Sequence, residues 1–384
     1  MGKGGGNVNV LVTGGAGFIG SNVVRRLLQE KMKVTILDNF SPQIHGDNTE
    51  LAADIKGKVK LIIGSVTDKA VFHAALEEQD IVVHLAAETG TGQSMYEVER
   101  YEEVNIKGTA ILLDYLVNNK KSQVKKFVVA SSRAIYGEGK YQCSDHGIVY
   151  PERRSSADMR KHRFEPVCPV CGSSCTMLLT DEEAKIHPSS FYGITKQIQE
   201  QMVLLFAQAC GISAFSLRYQ NVYGPGQSLK NPYTGILAIF SNLARTNQPI
   251  YIFEDGEESR DFVYIDDVVE ATYRCISSPM EGVTTLNVGS GEKTTVKQVV
   301  DEIVNYFSSK SIVKINGAFR DGDIRHNVAD LTKIKRMLGY EPQWKFSQGL
   351  ANFLDWAKAE KISDNKGQYE RSLIEMRQRG LMHE

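Results

Sequence analysis

A tyrosine and a lysine four residues apart, Tyr192 and Lys196, are the pair in this sequence best suited to moving a proton. Both side chains would lie on one face of a helix, predicted over residues 190–210, and would reach one substrate oxygen. A free phenol has a pKa of about 10, but a nearby ammonium group favours the phenolate that accepts a proton. Ser132, just after a predicted buried strand, is placed to hydrogen-bond the same oxygen as it changes between alcohol and ketone. On spacing alone the pair is more often an ordinary surface pair, so a second signal is needed.

A glycine-rich turn near the start of the chain supplies that signal. The segment Thr13-Gly-Gly-Ala-Gly-Phe-Ile-Gly20 follows an apolar strand and precedes a helix predicted to run to about residue 30. Glycines at 14, 17 and 20 permit a tight turn, close approach of the backbone to a pyrophosphate, and helix packing. The helix N-terminus favours an anion. Asp38 ends the next apolar strand and is placed to bind ribose hydroxyls, which favours NAD over NADP. The sequence therefore predicts an NAD site and hydride transfer.

Short apolar strands alternate with helical stretches through the first half of the chain, including predicted strands at 59–63, 81–85 and 127–130. This alternation predicts an α/β fold with a doubly wound parallel (Rossmann) sheet, whose ligands lie beyond the carboxyl ends of the strands. We expect an NAD-binding domain over residues 1–220, which carries an insert at 138–188. Residues 221–384 are predicted to form a smaller substrate-binding lobe, with some segments returning to the first domain.

The composition narrows the function classes. The 384 residues carry 45 Lys and Arg against 46 Asp and Glu, a formal charge of -1 that supplies no broad field for nucleic acid or an anionic membrane. We find no apolar run of eighteen residues, and residues 1–6 lack a signal-peptide pattern, which favours the cytoplasm. Six cysteines in such a chain indicate metal binding or burial rather than a disulfide framework.

Taken in order, these motifs resemble the extended short-chain dehydrogenase/reductase superfamily, in its NAD-dependent nucleotide-sugar epimerase and dehydratase group. The matching positions are residues 13–20, Asp38, residues 84–87, Asn105, Ser131, Ser132, Tyr192, Lys196, and residues 218–225 and 259–267. The resemblance implies that Ser132, Tyr192 and Lys196 are catalytic and that Asn105 supports the active-site helix. It also implies a homodimer, formed by pairing of the amphipathic stretches 98–118 and 191–210 across a two-fold axis. The alternative for those stretches is that they merely cover the sheet within one subunit.

The resemblance and the strand positions together give the expected ligand contacts. The residues expected to bind NAD are Gly14, Gly17, Phe18, Ile19, Gly20, Asp38, Asn39, Ser65, Val66, Leu85, Ala86, Ala87, Asn105, Tyr192, Lys196 and Tyr219. Those expected to bind a nucleotide-diphosphate sugar are Ser132, Arg133, Asn221, Arg260 and Arg325. The last two are chosen because a guanidinium group matches phosphate oxygens and stays charged.

Two departures from the family pattern refine the reaction. Ser65 stands where an acid usually meets the adenine, so that contact carries no charge. Arg133 and Ala134 stand where the 4,6-dehydratases place an Asp-Glu pair, and neither can eliminate water as acid or base. We therefore expect a nucleotide-sugar 4-epimerase that oxidises C4 to a ketone and reduces it again from the other face. The alternatives are an NAD(P)H-dependent 4-keto-6-deoxy-sugar reductase and, less favoured, a 4,6-dehydratase.

The insert carries a pattern of its own, Cys143-Ser-Asp-His146 followed by Cys168-Pro-Val-Cys171. Two such knuckles predict a closed, structural zinc site, with Cys175 as a rival ligand and free surface thiols as the alternative. The segment resembles the insert of bacterial 4-epimerases that act on dTDP-L-rhamnose, which favours a dTDP-6-deoxyhexose substrate. The alternative outside the enzymes is a zinc-dependent interaction module on a dehydrogenase scaffold that no longer catalyses a reaction. The complete set of Ser132, Tyr192 and Lys196 disfavours it.

Overall fold

The structure is a computed structural model that describes residues 8–229, 231, 235–360 and 366–384; residues 1–6, examined above for a signal peptide, lie outside that part. The strands are β1 (Asn9–Thr13), β2 (Lys33–Asp38), β3 (Lys60–Ile63), β4 (Ile81–His84), β5 (Lys126–Ser132), β6 (Tyr141–Cys143), β7 (Gly147–Val149), β8 (Thr176–Met177), β9 (Ser213–Tyr219), β10 (Asn221–Tyr223), β11 (Ile250–Ile252), β12 (Ser259–Arg260), β13 (Phe262–Tyr264), β14 (Val283–Val288), β15 (Thr294–Thr295), β16 (Val313–Ile315), β17 (Phe319–Arg320), β18 (His326–Asn327) and β19 (Met382–His383). The α-helices are α1 (Phe18–Gln29), α2 (Pro42–His45), α3 (Lys69–Leu76), α4 (Val98–Tyr101), α5 (Gly108–Asn118), α6 (Ser156–Met159), α7 (Phe191–Ala209), α8 (Ile236–Arg245), α9 (Ile265–Ser277), α10 (Val296–Phe307), α11 (Thr332–Leu338), α12 (Phe346–Ala359) and α13 (Lys366–Gln378).

Seven parallel strands form the central sheet in the order β14-β9-β5-β4-β1-β2-β3, which confirms the predicted doubly wound fold. The strand order reverses between β1 and β4, and in such sheets a crevice for ligands opens at this point. The edge strand β14 comes from the C-terminal part of the chain and pairs with β9. The sheet is therefore built from segments far apart in sequence.

Both faces of the sheet are covered, as a parallel sheet requires. Val10 and Val12 of β1 pack in one apolar cluster with residues of α1 and α9, while the intervening Leu11 packs in another with residues of α3, α5 and α7. Alternate strand residues point to opposite faces, so a continuous apolar run buries on both. This packing holds α1 and α7 with their N-termini at the same edge of the sheet.

The amphipathic stretch predicted over residues 98–118 is not one regular α-helix. A π-helical segment, Glu102–Lys107, separates α4 from α5. Wider π turns occur mostly as single bulges within α-helices, often at functional sites. Here the bulge contains Asn105, whose side chain is fully buried against α7. The wider turn thus coincides with the one asparagine that the family resemblance singled out.

The insert forms a small antiparallel sheet, β7-β6-β8, and buried ion pairs join it to the C-terminal lobe. Arg154 of the insert donates to Glu138 at 3.0 Å and to Glu254 at 2.7 and 2.8 Å, with all three side chains at most 5% exposed. A buried charge is tolerated only when it is paired, so these contacts fix the insert against the lobe. Across the described part of the chain, no helix is long and apolar enough to cross a membrane.

Candidate functional site

A crevice of about 480 Å³ lies beyond the carboxyl ends of β1, β4, β5 and β9. Its lining includes most of the predicted NAD residues, namely Gly14, Gly17, Phe18, Ile19, Gly20, Asp38, Asn39, Ser65, Val66, Leu85, Ala86, Ala87, Tyr192, Lys196 and Tyr219. Ser132 lines it as well. Residues from opposite ends of the first 220 positions thus meet around one cavity.

The glycine-rich turn forms one end of this crevice, and its shape tolerates no side chain at two positions. Gly14 has a φ of +68°, and a Cβ there would lie 2.9 Å from the nitrogen of Ala86. A Cβ on Gly20 would overlap the carbonyl oxygen of Gly14. The turn runs into α1, whose first N–H groups lack partners within the helix and favour an anion. These features fit the pyrophosphate of a dinucleotide.

Asp38 lies at the end of β2 with its carboxylate turned toward this turn. One carboxylate oxygen accepts the N–H of Ala16 and the other that of Phe40, both at 2.9 Å. His45 lies 3.7 Å from the second oxygen. The carboxylate therefore holds the glycine turn in place as well as lining the crevice at the position predicted for ribose contact.

Tyr192 and Lys196 lie in the first turns of α7, as their spacing predicted. The Ser190 hydroxyl caps the helix by accepting the N–H of Gly193 at 3.2 Å, and the Ser94 hydroxyl accepts the N–H of Tyr192 at 2.9 Å. The Lys196 ammonium donates to the Ala130 carbonyl of β5 at 2.8 Å. These bonds fix the start of α7 against β5 at the mouth of the crevice.

Burial acts against the charged forms of both groups. It raises the pKa of Tyr192, while a hydrogen bond from Ser132 and the positive charge of Arg133 lower it. Burial also lowers the pKa of Lys196 to about 7. The sequence predicted that the Lys196 ammonium would favour the phenolate, whereas the positive charge that lowers the pKa of Tyr192 in the structure is that of Arg133, which the sequence did not predict. The balance between burial and polar contacts therefore sets the fraction of Tyr192 that is phenolate and the fraction of Lys196 that is ammonium.

Asn105 departs from one prediction and fits another. It was expected to contact NAD, but it is fully buried and is not among the residues that line the crevice. Its amide nitrogen instead donates to the Glu88 carbonyl at 3.1 Å and to the Thr195 hydroxyl at 3.0 Å, and its oxygen accepts the Glu88 N–H at 2.8 Å. Asn105 thereby joins the loop after β4 to the helix that carries Tyr192.

Two of the predicted substrate residues stand together beside Tyr192. Arg133 donates to the Asn221 side-chain oxygen at 2.6 Å, and burial together with the nearby Arg260 lowers the pKa of Arg133 to about 9. Arg260 donates to backbone carbonyls, including that of Ile324 at 2.8 Å. Two guanidinium groups held close together, with neutral hydrogen-bond acceptors, favour an anion between them.

Arg325 is not available for a diphosphate, contrary to the prediction. Its side chain is 2% exposed, and its guanidinium group donates to three carboxylates. These are Glu165 at 2.7 Å, Glu254 at 3.0 Å and Asp255 at 2.7 and 2.8 Å. The sequence motif did not reveal this because its partners come from the insert and from a loop 70 residues earlier. Arg325 holds the insert and the lobe together.

The four predicted metal ligands of the insert converge. The ligand atoms of Cys143, His146, Cys168 and Cys171 all lie within 4.8 Å of one another. The Cys143 sulfur is 3.6 Å from the His146 Nδ1 and 3.7 Å from the Cys171 sulfur. Sulfur ligands on a tetrahedral zinc ion, with Zn–S bonds of about 2.3 Å, would be about 3.8 Å apart. Cys175, the rival ligand, is outside the cluster and contacts the Ser173 carbonyl at 3.7 Å.

Sequence reasoning missed two side chains at the start of α7. The Ser94 hydroxyl accepts a hydrogen bond from the backbone N–H of Tyr192, and the Gln199 side-chain oxygen accepts one from the Lys196 ammonium. The spacing of three between Lys196 and Gln199 places both on one helix face, which was the available signal. Ser94 had no comparable signal, since it comes from a loop 98 residues away.

Comparisons with known proteins agree on one group. A model of the NAD dependent epimerase/dehydratase family matches residues 10–289. The dTDP-L-rhamnose 4-epimerase of Burkholderia thailandensis is 39% identical over 354 residues, which cover 91% of this chain and 95% of that protein. The crystal structure of Thermotoga maritima UDP-glucose 4-epimerase with UDP-glucose has a TM-score of 0.73 and 30% identity, covering 91% of this chain and 99% of that one. The Thermus thermophilus UDP-glucose 4-epimerase complex with NAD has a TM-score of 0.70 and 26% identity, covering 92% and 100%.

The position of Arg325 predicts a stability effect. Arg325→Met would leave the buried Glu254 with one cationic partner fewer, so we expect the free energy of unfolding to fall by about 3 kcal/mol in urea titrations. The control is Arg163→Met, at an exposed arginine of the insert that Arg325 contacts, and it should change the free energy of unfolding by less than about 0.5 kcal/mol. Equal stability of the two variants would contradict the structural role of Arg325.

Proposed function

This chain belongs to the NAD-dependent epimerase/dehydratase family, and we propose that it is a 4-epimerase of a nucleotide-linked 6-deoxyhexose, such as dTDP-L-rhamnose. The sequence predicted the family, the Rossmann fold and an epimerase activity, and the comparisons confirm all three. The choice of a dTDP-sugar is supported by the 39% identity to an enzyme with that name. The observation that carries the reaction type is the meeting of Ser132, Tyr192 and Lys196 at one crevice.

The residues present fit a bound NAD. The glycine turn would hold its pyrophosphate, and Asp38 would bind its ribose. In the proposed division of the chain, residues 1–220 hold NAD and residues 221–384 contribute most of the sugar-nucleotide site. Bound NAD supplies a reversible hydride acceptor next to the sugar C4.

Each chemical step assigns a task to this chain's own residues. As the C4–H bond gives up its hydride, the Tyr192 oxygen takes the proton of the C4 hydroxyl and a 4-ketone results. The Ser132 hydroxyl hydrogen-bonds the same oxygen, and the Lys196 ammonium favours the phenolate. Once the ketone has turned its other face toward the cofactor, Tyr192 would return the proton to the C4 oxygen as C4 is reduced again. The reaction therefore has no net oxidation.

The residues at 133 and 134 favour epimerisation over dehydration. Arg133 is directed at Asn221 and lies beside Tyr192, and an arginine cannot take a proton from C5. We assign Arg133, Asn221 and Arg260 to binding the substrate, with a guanidinium pair for its negative charge. A net 4-keto reductase would use the same groups, so the source of reducing equivalents must distinguish the two reactions.

We also propose that the insert binds a structural zinc ion through Cys143, His146, Cys168 and Cys171. Each knuckle ends in a glycine with positive φ, Gly147 at +69° and Gly172 at +74°, which lets the chain turn back sharply behind its ligands. Four protein ligands leave no position for a reacting water, so the ion stabilises the insert and takes no part in epimerisation.

We further propose a homodimer formed by α5 and α7 with their copies. Each helix presents large exposed apolar side chains, such as Val117, 48% exposed, on α5, and Leu205, 65% exposed, on α7. A second copy would cover these faces and form a four-helix bundle across a two-fold axis.

The reaction type predicts turnover without added cofactor. Purified protein incubated with dTDP-L-rhamnose alone should produce the C4 epimer, because an epimerase recovers its NAD in every cycle. Product is measured by chromatography and by NMR of the sugar ring. Turnover that occurs only from a 4-keto sugar with added NAD(P)H would identify a reductase instead.

The control for this assay is Tyr192→Phe. Loss of the phenolic oxygen should lower kcat by about 10²–10⁴-fold, while the amount of NAD released on denaturation stays equal to that of the wild type. Near-native turnover by this variant would contradict the role of Tyr192.

The metal proposal predicts one zinc ion per chain in the protein purified without chelator, measured by mass spectrometry of metal content. Replacing both Cys168 and Cys171 by Ser should abolish the bound zinc, because a thiolate is a far better ligand than a hydroxyl group. Cys175→Ser is the matched control and should retain it. Zinc loss in Cys175→Ser alone would show that the ligand set is wrong.

The dimer proposal predicts twice the chain mass by light scattering at micromolar concentration. Leu205→Glu should give a monomer, because it places a charge on the exposed apolar face of α7 that the second copy would cover. Leu179→Glu, at an exposed leucine of the insert, should remain a dimer. A wild-type monomer at this concentration would contradict the proposal.

A further inference from the structure

We propose that Gln199 is a positioning residue for the reaction, since its side-chain oxygen holds the Lys196 ammonium in its charged form and directs its remaining proton into the crevice. This inference rests on the proposed function of Tyr192 and Lys196. It concerns a side chain that neither touches the reacting atoms nor belongs to the motif itself.

The contact is close and fully enclosed. The Lys196 Nζ donates to the Gln199 side-chain oxygen at 2.8 Å, and also to the Ala130 carbonyl at 2.8 Å. Gln199 has no exposed surface, and Lys196 is 2% exposed. An ammonium group has three N–H donors, so these two acceptors leave one for the crevice that Lys196 lines.

A chain of buried hydrogen bonds fixes which way the Gln199 amide points. Its nitrogen donates to the Thr109 hydroxyl at 2.8 Å. That hydroxyl has one proton, which it donates to the Asn105 carbonyl at 2.7 Å. If the amide were reversed, its NH₂ would face the ammonium and its oxygen would meet a hydroxyl with no proton to give. The Gln199 oxygen must therefore face Lys196.

The same argument extends through β4 to β1 and fixes the state of His84. Because the Thr109 proton is used, the His84 Nε2 at 3.3 Å must be the donor, and its Nδ1 accepts from the Thr13 hydroxyl at 2.8 Å. Thr13 in turn accepts the Ala86 N–H at 3.2 Å. The chain of hydrogen bonds thus runs from the lysine to the strand that enters the glycine turn, and the donor and acceptor roles along it are mutually consistent.

The electrostatic surroundings give the Gln199 oxygen its importance. Tyr192 lies one helical turn before Lys196 on α7, and burial raises the pKa of its phenol. His84 on β4 faces Lys196, and burial together with the Lys196 charge lowers the pKa of His84 to about 3. Until the Tyr192 phenol gives up its proton, neither it nor the neutral imidazole offers the ammonium a counter-charge. Two oxygen atoms, from Ala130 and Gln199, therefore stabilise it against the burial that lowers its pKa.

Two substitutions at position 199 should move the titration of Lys196 in opposite directions. Gln199→Met keeps the volume but removes the acceptor, so the pKa of Lys196 should fall by about one unit; Gln199→Glu supplies a carboxylate, so it should rise by about one unit. The measurement is the pH titration of the lysine ¹³Cε resonances in the purified, NAD-containing protein. The Lys196 signal is assigned by its absence in Lys196→Met.

The pH profile of epimerisation gives the second readout. In Gln199→Met the alkaline limb of kcat should move about one unit lower, with about tenfold lower kcat at pH 8 and a KM within about twofold of the wild type. Gln197→Met, at the half-buried glutamine two residues earlier on α7, is the matched control and should leave both readouts unchanged.

The outcomes separate this inference from the proposed function. Opposite shifts of the Lys196 titration in the two variants support it, whichever sugar the enzyme accepts. Equal titrations in wild type and both variants, or shifts in the same direction, would overturn it even in an active enzyme. A wild type that epimerises no nucleotide sugar would instead count against the proposed function alone.

Discussion

A buried ammonium group is the constraint on which this site depends. Lys196 is 2% exposed, and so deeply buried a charge is costly unless oxygen atoms accept its hydrogen bonds. One acceptor is the backbone of β5 and the other a side chain on α7, so the helix and the strand must hold a fixed separation. That requirement explains why α7 is anchored so firmly, by a Ser190 cap, by Ser94 and by Asn105 behind it.

Much of the fold and of the crevice could be predicted from the sequence, because their signals are local. The glycine turn, the strand that ends at Asp38, and the Tyr192 and Lys196 spacing each occupy a short segment whose backbone geometry follows from residue type. The doubly wound parallel sheet was predicted from the alternation of strand and helix, since parallel strands need a crossover between them, whereas the order of its strands was not predicted. The comparisons then placed the whole arrangement in one enzyme family.

The remaining features depend on contacts between distant segments, which no local pattern encodes. Arg325 was expected to bind phosphate, yet its guanidinium N–H groups donate to carboxylates of the insert and of a loop that precedes β12. Asn105 falls in a π-helical turn that faces it away from the crevice, although helical periodicity alone predicted a regular helix. The influence of Arg133 on the Tyr192 phenol likewise required knowledge of which side chains share a desolvated pocket. In each case the sequence identified the residue but not the residues that it contacts.

The ion pairs of the insert have a consequence for how the molecule is made. The Glu138 carboxylate accepts the N–H of Arg325, which lies 187 residues further along, and Arg154 waits for Glu254, 100 residues on. The insert leaves the ribosome before these partners, so Arg154 can already pair with Glu138, but neither side chain can be buried against the lobe until residues 254 and 325 have been made. Docking of the insert is consequently a late event of synthesis. A chain that ended before residue 254 would contain most of the proposed NAD site but would lack much of the proposed sugar-nucleotide site.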